Sequence, residues 1–176
     1  MNRVSINNFF SVYIKSYDTV VSLSVAILLY IILPEFVKGS FASSFYNIGI
    51  TVLSIIFSLF FAALAIIMSS TDNDFILYLE EDKHFTGLMG TFRLVLIMLF
   101  LSLIYSIVLY TVTDFYMKEY DGKLQQHKIF FIIFQLLFTY SLIATASSIK
   151  DTIQFTSFRT RFLLKKEEKR KKEESK

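Results

Sequence analysis

Four uncharged runs constrain this chain more than any other feature. Sixteen uncharged residues separate Asp18 from Glu35, thirty-three separate Lys38 from Asp72, twenty separate Arg93 from Asp114, and twenty-one separate Lys128 from Lys150. An α-helix rises ~1.5 Å per residue, so about 20 residues cross a ~30 Å hydrocarbon core. Three runs meet that length directly, and the first gains it from upstream. With 54% hydrophobic and 17% aromatic residues in 176, the chain reads as one membrane domain. The expected fold is all-α: a polytopic four-transmembrane-helix bundle with an N-terminal interfacial helix and a C-terminal cytoplasmic helix. The expected limits are an amphipathic helix at 5–17, spans at 18–36, 46–70, 93–113 and 129–149, a cytoplasmic loop at 71–92, an outer loop at 114–128 and a basic tail at 150–176.

The upstream helix follows from its rhythm. Ile6, Phe9, Phe10, Tyr13, Ile14 and Tyr17 recur at the i, i+3, i+4, i+7 spacing of one face, while Asn7, Asn8, Ser11 and Lys15 take the other. A tilted extension of the first span is the alternative. Pro34, with Gly39 and Ser40, ends span 1. Ser40-Phe41-Ala42 has the small-x-small look of a processing site, but the segment before it is too long and too poorly charged for a signal peptide. Orientation follows from Lys and Arg. With both termini cytoplasmic, the inner side holds fourteen of them and the outer side four: Lys38, Lys118, Lys123 and Lys128. The expected location is the bacterial inner membrane, and the Phe-, Ile- and Lys-rich composition fits a low-GC bacterium or its phage.

Within lipid, helices associate by close backbone approach and hydrogen bonding, so small residues mark interfaces. Thr51, Ser54, Ser58, Ala62, Ala65 and Ser69 make such a stripe along span 2. It serves either packing within one bundle or a seam between subunits. Span 4 carries Gln135, Thr139 and Ala146 on one side, with Ser141, Thr145 and Ser148 beside them. Gln135 either hydrogen-bonds a neighbouring helix or lines a wet lumen. Span 3 adds Ser102, Tyr105, Ser106 and Tyr110. No charge lies mid-span. Ion-coupled carriers need buried ionisable groups, so that class is disfavoured, while a hydroxyl-lined pore stays open.

The inner loop gathers Asp72, Asp74, Glu80, Glu81 and Asp82. It is either a solvated connection or a docking surface for a basic cytosolic partner. Thr71 and Asp74 look like a helix start, with Phe75, Ile76 and Leu79 on one face. The outer loop turns at Asp121-Gly122, and Phe115, Tyr116 and Tyr120 suit an interfacial belt. The last stretch continues span 4 as a helix, with Phe155, Phe158 and Phe162 sharing a face. Its basic end, Lys165, Lys166, Lys169, Arg170, Lys171 and Lys172, either meets anionic lipid or forms a solubilising helix end. Direct nucleic-acid binding is not expected, since the run has no interleaved aromatics.

Catalytic chemistry is hard to find. The chain has no cysteine, no glycine-rich phosphate loop, no HExxH and no GxSxG. His84 sits beside loop carboxylates with no partner set. No enzyme activity, cofactor or metal site is expected. The run ALAIIMSSTDNDFILYLEEDKHFTGLMGTFRLVLIMLF resembles small four-span membrane proteins of bacterial antiphage defence systems, Kiwa KwaA-like or CRISPR-associated accessories. That resemblance implies a homo-oligomeric membrane sensor or effector coupled to a cytosolic partner, and it carries no functional residue across. A holin-like pore former and a scaffolding subunit of a larger membrane complex are the alternatives.

Overall fold

The computed structural model describes residues 17–69, 75–77, 84–119 and 124–174. Among these described residues the fold shows four long helices and a two-stranded ribbon. Helix α1 (Tyr17–Ile32) leads to β1 (Phe36–Lys38) and α2 (Gly39–Ser69); α3 (His84–Glu119) leads to β2 (Gln125–His127) and α4 (Lys128–Glu174). The strands pair antiparallel, Phe36 opposite His127 and Lys38 opposite Gln125. This ribbon ties the α1–α2 and α3–α4 connections together at one end of the bundle. Successive helices therefore run in opposite directions.

Chain ends and breaks follow from local chemistry. Asp18 lies in the first turn of α1, where a carboxylate suits the helix dipole. Pro34 disfavours a helical conformation at Leu33, so α1 stops at Ile32 rather than at residue 36 as expected. Gly39 was read as part of a break, yet it opens α2. Its N–H donates to the Leu124 carbonyl at 2.9 Å. A Cβ there would sit 3.1 Å from that oxygen and 3.2 Å from Met117 Cγ, so the strand approaches closely because the residue is glycine. Helices α2, α3 and α4 contain 31, 36 and 47 residues. All three are long and apolar enough to cross a membrane. Helix α1, with 16 residues, is apolar but spans only about 24 Å.

The buried residues step along each helix by three and four. On α3 they are Phe92, Val95, Leu99, Ser102, Ser106, Leu109 and Thr113. On α4 the sequence is Phe131, Phe134, Ser141, Thr145, Ser148 and Phe155, with half-buried Phe138 and Thr152 keeping the step. Helix α2 offers Ala42, Tyr46, Gly49, Leu53, Phe60 and Ile67. An alternation of three and four averages 3.5, the repeat of left-handed helix pairs. Helix α2 lies against α3, α3 against α4, and α1 against the far side of α4. Near the ribbon an aromatic cluster joins Tyr46, Phe131 and Phe134 to Val37 and Leu109. A second core around Leu53, Leu99 and Phe92 fills the other half. Most of the remaining apolar surface faces outward: only 17% of the α2 span is buried inside the chain.

Candidate functional site

The small-residue stripe of α2 lies opposite its packing seam. Thr51, Ser58, Ala62 and Ala65 are exposed and Ser54 is half-buried, while Leu53, Phe60 and Ile67 are buried. At 3.6 residues per turn the two sets fall on opposite sides of the helix. Among the described residues, packing within the chain therefore leaves Thr51, Ser58, Ala62 and Ala65 uncovered and covers Ser54 in part. The Ser58 hydroxyl donates to the Ser54 carbonyl at 2.9 Å, and that of Thr51 to Asn47 at 3.0 Å. Both of these hydroxyls are satisfied within their own helix. Ser69 ends α2, and its side chain lies outside the described residues.

The seam between α3 and α4 took the other small residues. Ser102, Ser106, Ser141 and Ser148 are all fully buried. Ser106 donates to the Ser102 carbonyl at 2.7 Å, and Ser141 reaches across to the Met98 carbonyl at 3.4 Å. These hydroxyls are buried between helices, and Ser102 Oγ and Ser148 Oγ have no hydrogen-bond partner among the described residues. Short side chains there let the two backbones approach closely. Tyr105 adds a weak cross-helix bond to the Phe130 carbonyl at 3.4 Å.

Among the described residues Gln135 makes its hydrogen bond within α4. Its Nε2 donates to Thr139 Oγ1 at 3.2 Å, one turn along α4. Its Oε1 is buried without a partner among the described residues. Ala146, on the same side, is exposed. Gln135 and Thr139 thus flank the α4 seam rather than forming its centre.

Both ends of α1 are fastened to α4. Ser147 donates to an Asp18 carboxylate oxygen at 2.9 Å. At the other end the Lys128 ammonium sits 4.1 Å from the centre of the Tyr30 ring and donates to the Tyr30 carbonyl at 3.2 Å. A cation at a helix C-terminus and over an aromatic face is favourable on both counts. Burial under α1 pushes the Asp151 carboxyl above its usual range; Lys150 pulls it back and nearby Asp18 adds to the rise.

The ribbon was not foreseen. Gln126 accepts a hydrogen bond from the Tyr46 hydroxyl at 3.1 Å, which pins β2 to α2. Beneath β2 lies a 260 Å³ pocket whose polar lining includes Thr113, Tyr116, Gln125 and His127. Phe115 and Tyr116 are exposed and meet edge to face at 5.5 Å.

The acidic residues Asp72, Asp74, Glu80, Glu81 and Asp82 lie outside the described residues, as does the helix expected at 5–17 apart from Tyr17. Of the loop, Phe75 is buried between Phe155 and Phe162, with ring centres 5.3 and 5.4 Å away. Phe158 was expected on that face and is 48% exposed. The tail is helical to Glu174, and Lys166, Arg170, Lys171 and Lys172 are exposed on it. Lys165 and Lys169 lie on the same helix. Among the described residues no group of His, Asp or Glu side chains could hold a metal ion. No family model, no curated protein and no solved structure matches the chain.

Proposed function

We propose that the chain is a non-enzymatic bacterial inner-membrane protein that assembles with copies of itself and couples to a cytosolic partner, as a sensor or effector of antiphage defence. The observation that carries the assembly is the α2 stripe. Its side chains are small, Thr51 and Ser58 are hydrogen-bonded within α2, and Thr51, Ser58, Ala62 and Ala65 are exposed among the described residues. In lipid, such a face gains most from a second helix. The defence setting rests on the resemblance of residues 63–100.

Four spans are the reading the ribbon supports. It holds both helix–helix connections at one end, so α1 reverses across the same slab as its longer neighbours. The two sequence connections that hold the ribbon carry four Lys and Arg residues against fourteen in the rest of the chain, a bias that supports an outer ribbon and cytoplasmic termini. The fourth span ends at Ile149, where charge resumes with Lys150 and Asp151. Lys165 then stands about 24 Å further along α4. On a helix along the bilayer normal that distance exceeds two Debye lengths at physiological salt, ~8 Å each. The basic tail is therefore assigned to a cytosolic partner, together with the acidic loop, and not to the lipid surface.

The test is membrane potential in bacteria expressing the chain, read with a potential-sensitive dye, alongside phage plating. Reduced plaque formation with any depolarisation confined to infected cells is expected, and Ser58→Leu with Ala62→Leu should abolish it. Unchanged plating would refute the defence role. Depolarisation without phage would replace it with a pore former.

A further inference from the structure

Helices α2 and α4 meet closely only near the ribbon. There Gly49 admits the Phe134 ring, and Tyr46 meets the same ring edge to face at 4.9 Å. Toward the other end the two helices part. Helix α4 presents short Thr145 and Thr152 toward the gap, with Ile149 and Ile153 beside them. The Phe92 ring, from α3, forms its floor and meets Phe60 at 5.6 Å. The result is an apolar groove of about 340 Å³. That is more than twice the ~150 Å³ of a cavity that takes up one benzene ring.

Four features identify its occupant. The groove runs from Ile56 to Ile67 along α2, about 16 Å, which is the depth of one leaflet of a ~30 Å core. Its rim is open, with Leu59, Ile149 and Ile153 more than half exposed. Its two hydroxyls are already spent: Thr145 donates to the Ser141 carbonyl at 2.7 Å and Thr152 to Ser148 at 2.9 Å. Their donors are used and the rest of the lining is hydrocarbon, so the groove suits an apolar occupant. At its charged end Lys150 is exposed and lies three residues before Ile153, a neighbour on the helix surface.

We propose that this groove binds one acyl chain of an anionic inner-leaflet phospholipid, with the headgroup phosphate beside the Lys150 ammonium. The proposal rests on the membrane-spanning reading given above. It makes the α2–α4 gap a lipid-filled joint, so the separation of these helices depends on the lipid present.

The test uses the full chain in phosphatidylglycerol-containing nanodiscs doped with a phospholipid carrying a photoreactive group on its acyl chain. After irradiation, adducts are mapped by mass spectrometry. They should concentrate on residues 56–67 and 145–153, and fall severalfold in Ala63→Trp, which fills the groove, and in the milder Thr152→Leu. Lys150→Glu should lower the yield with the anionic probe more than with a phosphatidylcholine probe. Adducts spread evenly over outward residues such as Ile27, Ile104 and Val108 would overturn the groove and leave the membrane reading intact. Failure to enter discs, with no adducts anywhere, would overturn both.

Discussion

Gly49 is the position where one added methyl group tests the packing most sharply. Glycine inside a helix costs ~1 kcal/mol relative to alanine, so Gly49→Ala on an unpacked face would stabilise the chain by about that amount. Here the new Cβ would lie 2.6 Å from Phe134 Cζ and 2.8 Å from Cε2. The ring has little room to yield. It is 1% exposed, edge to face with Tyr46 and stacked on Phe138 at 5.6 Å. Overpacking of this kind costs ~1–3 kcal/mol, so the net effect is destabilisation by about 1 kcal/mol. The assay is equilibrium unfolding in detergent micelles, with Gly49→Ala measured in wild-type and Phe134→Leu backgrounds. The Phe134→Leu change removes the clashing atoms and uncovers the propensity gain, so the sign of Gly49→Ala should reverse. The coupling between the two sites is then ~1–3 kcal/mol. The same sign and size in both backgrounds would refute the close approach of α2 and α4.

Two further changes probe the fastenings of the bundle. Tyr46→Phe removes the hydroxyl that holds Gln126, at a cost of ~0.5–1.5 kcal/mol, and should speed amide hydrogen exchange across the Val37–Gln126 pair; unchanged exchange would show that β2 is held elsewhere. Asp151 has its pKa raised by burial under α1, so the folded state favours the protonated carboxyl. That stabilisation is complete below the unfolded carboxyl's range and is lost as pH rises through the raised folded value. Acidification should therefore tighten α1 against α4. Asp151→Asn should raise the melting temperature at neutral pH and flatten its pH dependence, and a lowered melting temperature would contradict the sign.

What could be seen in the sequence was whatever repeats or excludes charge. The three long helices follow from uncharged runs, and the helical tail from a stretch without Pro or Gly after Lys150. The ribbon left no trace, because Phe-Val-Lys and Gln-Gln-His are too short for a period of two to show. Their pairing joins residues about ninety apart, and only the antiparallel arrangement of the helices brings them together. The α2 stripe was visible as a pattern, but its use was not. Small residues suit a seam inside or between chains equally well, and the choice depends on where Leu53 and Phe60 find partners on α3. Gln135 shows the same limit. Its polarity called for a partner, and Thr139 four residues on supplied one within the helix.

The assembly claim is most directly tested by disulfide cross-linking in native membranes. The chain has no cysteine, so single substitutions report without background. Ser58→Cys and Ala62→Cys lie on the exposed stripe of α2, and Leu99→Cys lies on α3 in the buried seam it shares with Leu53 and Phe60. The account predicts that mild oxidation converts the two stripe variants to a dimer, twice the 20.5 kDa of one chain, and leaves the seam variant monomeric. Stripe variants that stay monomeric under oxidation, while the same thiols react with a membrane-permeant maleimide, would contradict it.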